Sequence, residues 1–149
     1  MTQTLTASPA TGAAHPYALP KRERLCARKD IDALFGGEGR AMTSFPIRAV
    51  YAKAVADSHS PAAQMMVSVP KKHIRHAVGR NRIKRQVREA YRLNKPLLSG
   101  ALDVLTAQGR CLHIAFIWLD DRQRTSEDVT RHITALLQRI GEKIQRKDT

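Results

Sequence analysis

Ala77-Val78-Gly79-Arg80-Asn81-Arg82-Ile83-Lys84-Arg85-Gln86-Val87-Arg88-Glu89-Ala90-Tyr91-Arg92 is the stretch from which the rest of the chain can be placed. At about 100° per residue, Ile83, Val87, Ala90 and Tyr91 fall in one narrow apolar arc of a helix. Arg80, Asn81, Lys84, Arg85, Arg88 and Arg92 fall in an adjoining arc of roughly 140°, and Arg82 projects elsewhere. One side packs on a core while the other presents a row of fixed positive charge.

The charge is concentrated beyond what solubility asks. Residues 71 to 95 hold ten of the chain's 26 Lys and Arg, where an even spread would give about four, and a single acid, Glu89. A merely solvated helix mixes both signs to gain i,i+4 pairs. Like charges this close repel unless a polyanion neutralises them. Arginine outnumbers lysine within the helix, which suits forked contact with phosphate oxygens. The net charge of +13 over 149 residues points the same way. Nucleic acid is the expected partner. A membrane surface is not, because the apolar arc is narrow and lacks the Trp and Phe of an interfacial helix.

The remaining chain reads as one domain. Residues 1 to 20, rich in Ala, Thr and Pro, are expected to be a flexible tail rather than a signal peptide. No apolar run approaches 18 residues, so no membrane span is expected, and the protein is placed in the cytoplasm. The domain is set at 21 to 145, with residues 146 to 149 frayed. A helix is predicted over roughly 27 to 35, with Ile31, Leu34 and Phe35 as core and Gly36-Gly37 as its stop. Phe45 to Ala52 alternates as a strand, Ile47, Ala49 and Tyr51 on one face and Arg48 and Val50 on the other. Gln64 to Val69 gives a second strand. The basic helix should end near Asn94 because Pro96 forbids continuation. A short helix closed by Gly109 follows, then an interior strand at Leu112 to Leu119 in which Trp118 packs. Thr125 and Asp128 resemble a capping box, opening a long helix that carries Val129, Ile133, Leu136, Leu137, Ile140 and Ile144. Cys26 and Cys111 lack metal-ligand spacing and are expected to be buried thiols. His73 and His76 lack a third metal partner, and Asp120-Asp121 reads as a solubilising loop.

The motif resembles the signature of the protein component of bacterial ribonuclease P. The resemblance is carried by Val67 to Lys72, Ala77 to Arg85 and Arg88 to Arg92, and extends more loosely from about Pro20 to Ile144. It implies an α+β single domain whose small mixed sheet has about four strands, with helices packed on one side and a left-handed βαβ crossover. A further short strand is then expected near residues 39 to 45. The resemblance also implies that Lys71, Lys72, Arg80, Asn81, Arg82, Lys84, Arg85, Arg88 and Arg92 contact the catalytic RNA. A cleft of Phe35, Tyr51 and Arg48 would hold the 5′ leader of precursor tRNA. On the residues alone Tyr51 is a packing side chain; the resemblance places it on the exposed cleft face. Ile31 stands where the family usually has an aromatic, and Pro70 where serine is more frequent.

No protein active site is apparent: there is no phosphate-cradling loop, no nucleophile motif and no carboxylate pair with a supporting histidine. The resemblance accounts for this, since the RNA subunit of that enzyme carries the catalytic centre and its Mg²⁺. No organic cofactor is expected. The competing reading is a structural RNA-binding protein such as a ribosomal protein. A DNA-binding regulator is disfavoured for want of a helix-turn-helix pair.

Overall fold

Alternation in the strands and helical periodicity elsewhere resolve into one mixed sheet. The computed structural model describes residues 19 to 147. Most of the expected N-terminal tail, and residues 148 and 149, therefore lie outside the described residues. A 3-10 turn at Lys21–Glu23 leads to α1 (Arg28–Ala33) and a wide turn at Leu34–Glu38. Then come β1 (Arg40–Ser44), β2 (Ile47–Val55), β3 (Ala63–Ser68) and α2 (Ala77–Asn94). A second 3-10 turn at Lys95–Leu98 precedes α3 (Ser99–Ala107), β4 (Arg110–Trp118) and α4 (Ser126–Lys147).

The strand order is β1-β2-β4-β3. β2 pairs antiparallel with both β1 and β4, while β3 pairs parallel with β4, so α2 and α3 form the crossover between two parallel strands. The short strand expected near 39 to 45 is β1. Pairing register defines rows across the sheet. Met42, Ala49, Phe116 and Val67 form one row, and Arg40, Tyr51, Ile114 and Met65 form another on the same face. The opposite face carries the row Ala41, Val50, Ala115, Met66 and the row Thr43, Arg48, Ile117, Ser68.

The first face is the main core. Ile83, Val87, Ala90 and Tyr91 of α2 are all at most 1% exposed, as the apolar arc requires. Tyr91 packs at 60° to Phe116 with ring centroids 6.1 Å apart. Burying each such side chain contributes about 1.5–3 kcal/mol, whereas each exposed like-charge pair costs only a few tenths. Burial wins, and the repulsive outer face is carried at modest cost. Val129, Ile133, Leu136, Leu137 and Ile140 of α4 complete this core. Trp118 is buried with them.

The short α1 lies on the other face. Leu25, Leu34 and half-buried Ile31 cluster with Val50, Ala115 and Met66. Leu25 is fixed there by its N–H, which donates to the Met65 carbonyl at 2.8 Å, and Arg24 forms a parallel bridge to Met65. Gly39 lets the chain return close beneath α1: a Cβ on it would meet the Leu34 carbonyl oxygen at 2.3 Å and Val50 Cγ1 at 2.7 Å. The three longer helices thus share one side, and the α1 cluster covers the central row of the other and reaches Ala52 and Ile117 in the flanking rows.

Several local expectations hold and a few change. Thr125 Oγ1 accepts from the Asp128 N–H at 3.1 Å, capping α4. That helix continues through Lys147 rather than fraying at 146. β2 runs to Val55, three residues beyond the expected strand, because β4 continues to pair with it there. Cys111 is buried but Cys26 is exposed. Cys26 sits between Leu25 and α1, where only the leucine turns inward. Phe35, expected in the core, is 46% exposed.

Candidate nucleic-acid interface

α2 is held by its buried arc and by the loop before α4. Gln86 Nε2 donates to the Arg124 carbonyl at 3.0 Å and to Ser126 Oγ at 3.2 Å, and Arg82 Nη1 donates to Gln123 Oε1 at 3.1 Å. Gly79 is buried against Ile74 Cγ2, which a Cβ would approach to 2.9 Å. These contacts fix the rotation of α2, and so the direction of its charged face.

The basic residues then divide by what engages them. Arg80 Nη1 donates to the carbonyls of Ile74 at 3.1 Å and Arg75 at 2.7 Å, closing the turn that enters the helix. Arg92 forms a two-point pair with Glu89, with contacts at 2.9 and 2.6 Å. Arg82 leans toward Gln123. By contrast, no ion pair or hydrogen bond to the described residues engages the side chains of Lys71, Lys72, Asn81, Lys84, Arg85 or Arg88. Burial, and secondarily the positive charge of Arg24, hold the Arg88 guanidinium below its ordinary pKa. A phosphate placed there would favour the charged guanidinium and so offset both. The 3-10 turn is tied to α2's end by Lys95 Nζ, 2.9 Å from Glu23 Oε1, with both side chains largely buried. That pair holds the 3-10 turn near the C-terminal end of α2.

On the α1 side, the row Thr43, Arg48, Ile117, Ser68 lies at the margin of the α1 cluster, which touches it at Ile117, and every member is exposed or half-buried. Arg48 and the exposed Phe35 belong to this side. Tyr51 does not. It lies on the opposite face, 5% exposed within the main core, so its expected place in the cleft with Phe35 is corrected. The period of 2 is the reason: Arg48 and Tyr51 are three residues apart in one strand and must point to opposite faces.

Two polar clusters have structural roles. Asp120 Oδ2 accepts from Arg124 Nε at 2.9 Å, and Asp121 Oδ1 lies 2.7 Å from His73 Nδ1. The two acids fasten the loop after β4, rather than only solubilising it. Ser44 Oγ is hydrogen-bonded to His132 Nδ1 at 2.7 Å, and Asp128 lies 3.7 Å from His132 Nε2. That trio is not a nucleophilic triad, because Asp128 is held by Arg124 and Arg131 and its distance to the ring exceeds a hydrogen bond. It fastens β1 to α4. Among the described residues no three His, Cys, Asp or Glu side chains converge as a metal site. No helix of the described residues is long and apolar enough to cross a membrane.

The family model described as Ribonuclease P matches residues 19–141, which spans the sheet, α2, α3 and about three quarters of α4. This chain belongs to the ribonuclease P protein family. A ribonuclease P protein component from Porphyromonas gingivalis is 42% identical over 134 residues, covering 90% of each chain. One from Chlorobium phaeobacteroides is 38% identical over 113 residues, covering 73% of this chain and 77% of the relative. The fold is shared with solved ribonuclease P proteins. Those of Staphylococcus aureus and Thermotoga maritima both give a TM-score of 0.58, at 19% and 23% identity. The alignment covers 79% and 78% of this chain and 94% and 96% of theirs. The chain is thus the protein component of an endoribonuclease of tRNA 5′ processing, a family in which the RNA carries catalysis.

Proposed function

We propose that the outward face of α2 grips the catalytic RNA while the α1 side of the sheet holds the 5′ leader of precursor tRNA. The observation that supports this most is the division among the basic residues. Asn81, Lys84, Arg85 and Arg88 are aligned on one rigid helix with no protein partner among the described residues. Lys71 and Lys72 extend the same charge into the preceding loop. Arg80, Arg82 and Arg92 are already engaged within the protein, so they position the face and add long-range field more than direct contacts. The leader would lie over the Thr43–Arg48–Ile117–Ser68 row, with Phe35 as a stacking ring and Arg48 as a phosphate contact. Mg²⁺ and the hydrolytic chemistry belong to the RNA; the protein contributes charge and alignment in the cytoplasm.

Photo-cross-linking tests the assignment. A benzophenone side chain at position 85 should join the catalytic RNA, and one at position 35 should join leader nucleotides of bound precursor. Leader cross-links from position 85, or none from position 35, would overturn the arrangement.

A further inference from the structure

β1 begins at Arg40, opposite Tyr51, while β2 continues through Val55. The edge of Ala52 to Val55 therefore lies beyond β1, and the last turns of α4 cover the gap. A concavity of about 470 Å³ opens there, and its lining includes Arg40, Tyr51, Lys53, Arg110, Lys143 and Arg146. We propose that this groove is a second RNA site, binding phosphodiester groups at the sheet edge opposite to β3 and the α2 face. The inference rests on the RNA-partner reading given above.

Of the eight described residues that line it, five are Lys or Arg and none is Asp or Glu. Register puts Arg40, Tyr51, Lys53 and Arg110 on one face of the sheet, so their convergence follows from the backbone rather than from chance rotamers. Lys143 and Arg146 alone would be accounted for by the negative end of the α4 dipole. That explanation does not reach Arg40, Lys53 and Arg110, which come from three different strands. Like charges around a concave, low-dielectric wall focus a positive field, and a chain of phosphates is the partner that satisfies several at once. Burial raises the Tyr51 pKa, and Arg40 only partly offsets this, so its phenol stays a neutral donor. Tyr51 therefore finds its role in this groove, where an O–H can meet a phosphate oxygen, rather than as a stacking ring.

The two possible sources of phosphate are the catalytic RNA and the precursor tRNA, and two binding measurements separate them. The variant Arg40→Gln/Arg110→Gln/Lys143→Gln leaves Lys53 and Arg146 in place. Its affinity is measured against salt, first for catalytic RNA alone, then for precursor tRNA added to the assembled protein–RNA complex. The log–log slope should become shallower by roughly 2 in one of the two measurements, which identifies the source. Arg40→Lys/Arg110→Lys, which keeps the charge, should stay near wild type. If the triple variant does not fold, Lys143→Gln alone should still shift the slope by roughly 0.7. Unchanged slopes in both measurements, while Lys84→Ala/Arg85→Ala/Arg88→Ala still weakens binding to catalytic RNA, would overturn the groove and leave the subunit reading standing. If the α2 variant also has no effect, the reading beneath the proposal fails with it.

Discussion

Replacing Lys84, Arg85 and Arg88 together by Ala removes three cations that no protein group among the described residues engages. Each phosphate contact contributes roughly 0.7–0.9 to the slope of log affinity against log salt, so the triple variant should lose roughly 2–2.7 units. Over a fourfold rise in salt, from about 50 to about 200 mM, the affinity gap from wild type should narrow by roughly 20–40-fold. Folding should change little: substitutions of exposed charges typically move stability by about 0.5 kcal/mol or less, with a small added loss from the half-buried Arg88 stem. Arg80→Ala should behave in the opposite way. It breaks two charge-assisted bonds to the Ile74 and Arg75 carbonyls and should cost about 1–2 kcal/mol of stability with a small slope change. The assay is filter or gel-shift binding to catalytic RNA over a salt series, paired with urea unfolding. A triple variant with a wild-type slope would refute the division of the basic face into engaged and available cations.

Phe35→Ala should weaken binding of leader-bearing precursor by about 1–3 kcal/mol and leave mature tRNA almost unaffected, measured on the assembled complex. Tyr51→Ala should show no such leader-specific loss, because its ring is buried on the other face. Burial lowers the His113 pKa below its ordinary 6.5, an effect larger than the opposing pull of Asp30, and His132 shifts the same way. The unfolded chain therefore binds more protons, and stability should fall as pH drops from 7 through about 6.5 toward the folded-state values. His113→Gln should flatten that fall in urea midpoints, leaving the smaller share due to His132. Gly39→Ala should cost more than about 2 kcal/mol, since its Cβ would collide with the Leu34 backbone. Gly100→Ala should instead gain about 0.5–1 kcal/mol, because only the exposed Gln145 side chain must swing aside; thermal unfolding distinguishes the two.

The α2 reading was legible because helical period, charge asymmetry and the Pro96 stop all act locally, and burial of Ile83, Val87, Ala90 and Tyr91 follows directly. The strand faces were legible from alternation, Tyr51 included. What the sequence could not carry was pairing across long separations. Whether Arg80 faces solvent or turns back to the Ile74 carbonyl is decided by a loop geometry that periodicity does not encode. The groove of Arg40, Lys53, Arg110, Lys143 and Arg146 gathers residues from three strands and one helix, with no local run of charge to mark it. The exposure of Phe35 likewise depends on Gly36 and Gly37 unwinding the end of α1, with Gly37 at φ 108°. Helical spacing alone assigned that ring to the core.

Cleavage of end-labelled precursor tRNA at low millimolar Mg²⁺ tests the central claim most directly, comparing the protein alone, its cognate catalytic RNA alone, and the two mixed. The account predicts cleavage at the mature 5′ end that needs both, and no cleavage by the protein alone at any Mg²⁺ concentration. Cutting by the protein alone would contradict it, and so would a mixture no faster than the RNA by itself.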